Sequence, residues 1–204
     1  MGSPHPPGVL QDPLGLRNRK LVAAKVLVGI LRRFPATRRI APAELPIGDV
    51  ARLLHGAVGG APLECAPQQS GGSSEAIGVY VALASGIYRY DRCTRLLTML
   101  SSLDIRAHLS ALDGLPLAPL NLLYVGCTGN AECMRDDDTA VLSALNTAAL
   151  CEHVDRFCAA QKLVAAARGW LERNLLAARI GLPPNEYLLL VQSVGLPACT
   201  PAQG

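Results

Sequence analysis

Apolar residues along this chain switch between two periods, and the switches set the order of its elements. Leu21, Val22, Val26, Leu27 and Ile30 recur at helical spacing and give way to Arg32 and Arg33 ahead of Pro35, which predicts a first helix. Beyond Pro42 and Pro46, the residues Ile47, Val50, Ala51, Leu53, Leu54 and Val58 repeat three and four apart until Gly59 and Gly60. A second helix with a glycine stop follows from that spacing. Ile77, Val79, Val81 and Leu83 then alternate, Ala84 to Gly86 turns, and Ile87 to Tyr90 runs on to Asp91. This is the pattern of a hairpin, which Leu96 to Leu100 is placed to extend.

Helical spacing returns from Asp104 to Leu112 around Ile105, Leu109 and Leu112, and Leu120 to Val125 is an apolar run ending at Gly126. The run reads as a central strand buried on both faces. Thr139 to Leu163 carries a long helical pattern, Leu171 to Ile180 another that Gly181 and Pro183 stop, and Tyr187 to Val194 a final strand before Gly195 and Pro197. No internal repeat is visible. The order predicts an α+β fold in which helices pack around a mostly antiparallel sheet.

Composition narrows the setting. With 204 residues, 50% of them apolar and 17% charged, the chain can bury one sizeable core. The expectation is a single domain over 21–197 between loose tails at 1–20 and 198–204. A formal charge of +3 with only 4% aromatic residues argues against nucleic acid as a partner. No apolar run reaches the roughly 18 residues of a membrane span, and Lys25 and Gly29 interrupt the best one, Leu21 to Ile30. Met1 to Pro13 lacks the order of a secretory signal. The seven cysteines are odd in number and irregularly spaced, which fits reduced thiols in the cytoplasm. A metal set of Cys127, Cys133, Cys151 and His153 would lack any Cys-x-x-Cys pair; Cys151 and Cys158, seven apart, read instead as small hydrophobes on one buried helix face.

Candidate chemistry concentrates in two places. Arg32, Arg33, Arg38 and Arg39 form a basic cluster suited to a phosphate or to a solvated helix end. Gln68 to Ser74 holds only Gln, Ser and Gly, a composition for backbone amides that approach a ligand or for a solvated linker. His55 and His108 read as surface or packing residues. Asp136, Asp137 and Asp138 read as the cap of the long helix.

Several of these stretches together resemble nitroreductase-family flavoproteins. They are Leu31 to Arg39, the entry Pro42 to Pro46, and His55-Gly56-Ala57. Gly86-Ile87-Tyr88-Arg89-Tyr90-Asp91 is similar to the Gly-Leu-Tyr-Arg-Tyr-Asp signature of the branch that includes the thiazoline and oxazoline dehydrogenases. Ala118 to Val125 resembles the family's central strand, and Gly181 to Glu186 with Val194-Gly195-Leu196-Pro197 its closing elements. The likeness spans Leu27 to Pro197. It implies non-covalent FMN, a homodimer with the flavin at the subunit interface, and hydride transfer from NAD(P)H to a small-molecule acceptor such as a nitroaromatic, a quinone or a peptide azoline.

The resemblance also assigns positions. The family's Arg-x-Ser-x-Arg phosphate motif puts Arg38 on its last arginine and leaves Phe34 and Ala36 on the first arginine and the serine, with Arg32 or Arg33 a turn away as substitutes. Its ring-binding Pro-Ser-x-x-Asn-x-Gln loop falls on Ser70, Ser73 and Glu75, and its buried-helix signature on Ala148, Cys151, Glu152 and His153. Ala167-Arg168-Gly169 matches the segment whose backbone amides approach the flavin. The expected cofactor set is therefore Arg32, Arg33, Arg38, Ser70, Ser73, Arg168 and Gly169, with no catalytic side chain demanded because the flavin carries the chemistry. The replacements Phe34, Ala36, Glu75 and His153 motivate an alternative: a nitroreductase-like protein that has lost FMN and acts as a structural or regulatory partner.

Overall fold

Strand pairing organises the molecule. In the computed structural model, which describes residues 25–32, 40–61, 77–113, 117–127, 137–168 and 173–198, six strands form one sheet. They are β1 (Gly78–Leu83), β2 (Gly86–Asp91), β3 (Leu96–Ser101), β4 (Leu120–Cys127), β5 (Val164–Arg168) and β6 (Glu186–Gly195). Their order is β3-β2-β1-β4-β6-β5, and every pair is antiparallel. Residues 25–32 are helical (α1), followed by α2 (Ile47–Leu53), α3 (Arg106–Asp113), α4 (Asp137–Ala160) and α5 (Arg173–Ile180).

The period of two along each strand divides the core between the two faces of the sheet. Val79, Val81, Leu120, Leu122 and Tyr124 share one cluster with Leu27, Leu53, Leu150 and Val154, which places α1, α2 and α4 on that face. Tyr80, Ala82, Leu123 and Val125 point the other way and meet Ile105, Leu109, Leu176 and Ile180 of the α3 and α5 region. Each large apolar side chain so buried contributes about 1.5–3 kcal/mol relative to exposure. β4 is buried along its described side chains because helices cover both of its faces.

Local chemistry explains where the helices stop. At the end of α4, Leu163 N–H donates to Cys158 O at 2.8 Å and Lys162 N–H to Ala159 O at 3.3 Å, with Lys162 at φ 57°. That is a Schellman closure with a lysine where glycine is usual. It turns the chain from α4 directly into β5. After α5 the same closure uses Gly181 at φ 69°, with Leu182 N–H donating to Ala177 O at 3.0 Å.

Two elements differ from the sequence expectation. Val164–Arg168, to which the periodicity assigns no element, is a strand, although its three consecutive alanines favour a helix; five cross-strand partners on β6 override that preference. The second helix is α-helical only to Leu53 and continues as a π-turn over Leu54–Val58, closed by Gly59 N–H on Leu54 O at 2.7 Å. Gly56 sits in this turn against the Phe157 ring of α4, where a Cβ would clash.

Candidate functional site

Two buried polar chains cross the central strands, one on each face. On the α3 and α5 face, Arg168 Nε donates to Ser193 Oγ at 2.6 Å and its Nη1 to the Leu109 carbonyl at 3.2 Å. Ser193 Oγ in turn donates to Asn121 Oδ1 at 2.5 Å. Arg168, Ser193 and Asn121 are 3%, 1% and 0% exposed, so the guanidinium is a desolvated cation held by oxygen acceptors on β6 and α3. Asn121 and Ser193 are register partners on β4 and β6; β5 is thereby fastened at its end through two neighbouring strands. Asn121 Nδ2 is buried without a hydrogen-bond partner among the described residues.

On the opposite face, the Tyr124 phenol donates to Gln192 Oε1 at 2.5 Å, and Gln192 Nε2 donates to the Cys151 carbonyl of α4 at 3.1 Å. Burial first, then the neighbouring Cys151 and Cys158, push the Tyr124 phenol well above its ordinary pKa. Burial, then Asp155, likewise raises the Cys151 thiol, and raises Cys158 to about 12. Both are neutral thiols at physiological pH and behave as packing groups. They share the same buried cluster, as their seven-residue spacing predicts.

No protein-family model matches the sequence, and no curated protein matches it. Among solved structures, a nitroreductase-family protein from Ralstonia eutropha is 28% identical, with 97% of this chain covering 89% of that one at a TM-score of 0.60. The E. coli microcin synthetase McbBCD complex with truncated pro-MccB17 is 15% identical, covering 81% of this chain and 67% of that one at 0.51. The NADPH:FMN oxidoreductase from Vibrio harveyi complexed with NAD+ is 12% identical, covering 86% and 70% at 0.55. The chain has the nitroreductase fold.

On that fold the positions named from the sequence fall as follows. Arg32 is exposed on α1 and forms no ion pair among the described residues. Arg168 lies at the end of β5 with its guanidinium engaged internally, which leaves its backbone as the part able to meet a cofactor. Arg33, Arg38, Ser70, Ser73 and Gly169, like Phe34, Ala36 and Glu75, lie outside the described residues. Glu152 and His153 are half-buried on α4, with Arg156 Nη2 3.7 Å from Glu152 Oε1. The structure thus brings Arg168 together with Asn121 and Ser193, which sequence reasoning missed. Their signal was present: Asn121 stands among the apolar residues of β4 and Ser193 follows Gln192 in β6, and a polar residue on a buried strand needs a buried partner.

Proposed function

We propose that this protein is an FMN-dependent oxidoreductase of the nitroreductase type, transferring hydride between NAD(P)H and a small organic acceptor. The observation that carries the reading is the sheet order with its flanking helices, which aligns over 97% of the chain with the R. eutropha protein at 28% identity. The V. harveyi neighbour, an NADPH:FMN oxidoreductase, supports the cofactor pair. Arg32, Arg33 and Arg38 would hold the phosphate, Ser70 and Ser73 the ring, and the backbone of Arg168 and Gly169 its reactive edge. Bound flavin would supply the hydride chemistry, and the chain's own task is positioning and electrostatics. The rest of the reading is a single domain over 21–197, a homodimer, and a cytoplasmic protein acting on a small molecule rather than on nucleic acid or at a membrane. Among the described residues no helix is long and apolar enough to cross a membrane.

One observation favours the second reading, a partner protein without flavin. The Arg168 guanidinium is consumed inside the fold, and with Phe34, Ala36, Glu75 and His153 replacing family donors, few side-chain contacts remain for a flavin. An absorbance spectrum taken after gel filtration with added FMN separates the two. Flavin bands that co-elute with protein and bleach with NAD(P)H support the reductase. Folded protein that retains no flavin at saturating FMN overturns it in favour of the partner protein.

A further inference from the structure

The two margins of the sheet are finished differently. At one margin, Ala165, Ala166, Ala167 and Arg168 of β5 are at most 3% exposed. At the other, β3 leaves Leu96, Leu97, Met99 and Leu100 at 63%, 38%, 51% and 47% exposure, and among the described residues β2 is its only strand neighbour. β3 reads Leu-Leu-Thr-Met-Leu-Ser, with none of the lysines, prolines or inward charges by which open edges usually resist pairing. Its apolar residues lie on both sides of the strand, so a helix packed on one face would leave the other without contacts; a strand added in the plane flanks both rows of side chains.

The edge is also held in place. Asp91 Oδ1 accepts from Cys93 N–H at 2.8 Å and Thr94 N–H at 3.2 Å in the β2–β3 turn, and Arg92 donates to the Val58 and Ala61 carbonyls, both at 3.1 Å. The strand is therefore pre-organised for addition.

We infer that β3 pairs antiparallel with β3 of a second copy of this chain across a two-fold axis at Thr98. An axis normal to the sheet keeps each face on its own side, so residues facing each other must be an even number of positions apart or identical. Centring on Thr98 sets Leu97 opposite Met99 and Leu96 opposite Leu100, with threonine against threonine on the axis. Every facing pair is then apolar or hydroxyl-matched and no charges oppose, as an isologous contact requires. The bulge created by the register shift between Ile87 and Tyr88 makes Leu100 the extra residue and ends the pairing there. A contact this short falls below the ~1,200 Å² of a standard interface, so it acts as a concentration-dependent association or adds to a second interface.

This inference rests on the dimer part of the proposed function and is independent of flavin. Sedimentation equilibrium of the whole chain and of Thr98→Lys tests it. The wild type is expected to associate with rising concentration, and Thr98→Lys, which sets two ammonium groups against each other on the axis, to shift the midpoint upward at least tenfold or to halve the limiting mass, with an unchanged circular dichroism spectrum. A dimeric wild type whose association Thr98→Lys leaves unchanged overturns the β3 pairing while keeping the dimer; a wild type that stays monomeric at several hundred micromolar overturns both. Should Thr98→Lys misfold, Thr98→Cys in a Cys93→Ser background decides against Cys93→Ser alone, which keeps the other six cysteines: mild oxidation yields a disulfide-linked dimer only with Thr98→Cys, and equal cross-linking in both, or none, refutes the axis.

Discussion

Arg168 and Ser193 form a polar junction of the interior: the guanidinium Nε donates to Oγ at 2.6 Å where both side chains are almost fully buried. Ser193→Ala would remove the acceptor of a desolvated cation and also the hydrogen that Asn121 Oδ1 accepts. The expected loss is about 2–4 kcal/mol in urea unfolding, because the buried Arg168 Nε and Asn121 Oδ1 each lose this hydrogen-bond partner while Nη1 keeps the Leu109 carbonyl. A loss below about 1 kcal/mol would show that the guanidinium finds another acceptor.

Tyr124 contributes, with the raised Cys151 and Cys158 thiols, to the pH dependence at the alkaline end. Its folded-state pKa lies well above the ordinary 10.0, so above pH 10 the unfolded chain loses a proton that the folded chain keeps. Its contribution is then full below pH 10 and falls as pH rises beyond it, by up to about 1.4 kcal/mol per pH unit for this one group. Tyr124→Phe should shallow that alkaline slope while costing about 1 kcal/mol near neutrality for the lost bond to Gln192. A slope identical in the variant would assign the loss to other groups, the raised thiols first.

The sheet was largely legible in the sequence and the site was not, for reasons that differ by residue. Val79 and Val81 alternate with residues of the opposite face, and burial on both sides of that alternation is what the structure shows. Leu120 to Val125 announced a central strand because helices cover it on both faces. β5 was missed because Ala165 to Ala167 carry no strand preference of their own; their conformation is imposed by β6, a partner more than 20 residues away. The π-turn at Leu54–Val58 has no periodic signature that separates it from a continuing α-helix. As for the site, the resemblance named positions by motif, whereas the Asn121, Ser193 and Arg168 chain exists only once three strands lie side by side.

Burial predicts which thiols react. Cys93 is exposed, whereas Cys151 and Cys158 are buried and their raised pKa values leave almost no thiolate at neutral pH. Iodoacetamide at pH 8 followed by peptide mapping should modify Cys93 in the native protein and reach Cys151 and Cys158 only after denaturation. Native labelling of Cys158 at a rate comparable to Cys93 would mean that the end of α4 opens on the timescale of the reaction.

Glycine substitutions should separate required from incidental backbone freedom. Gly86 opens β2 at φ +136°, and a Cβ there would run into the carbonyl oxygen of Ser101 on the neighbouring strand. Backbone strain and the clash act together, so Gly86→Ala is expected to cost at least about 3 kcal/mol, giving a physical reason for glycine at the head of Gly86-Ile87-Tyr88-Arg89-Tyr90-Asp91. Gly29 on α1 meets nothing within 4 Å of an added Cβ and lies on an exposed helical face. There the lower chain entropy of alanine in the unfolded state dominates, and Gly29→Ala should stabilise by about 0.5–1 kcal/mol. Urea melts of both variants read the contrast directly: opposite signs are expected, and a Gly86→Ala protein as stable as wild type would require β2 and β3 to separate at Ser101.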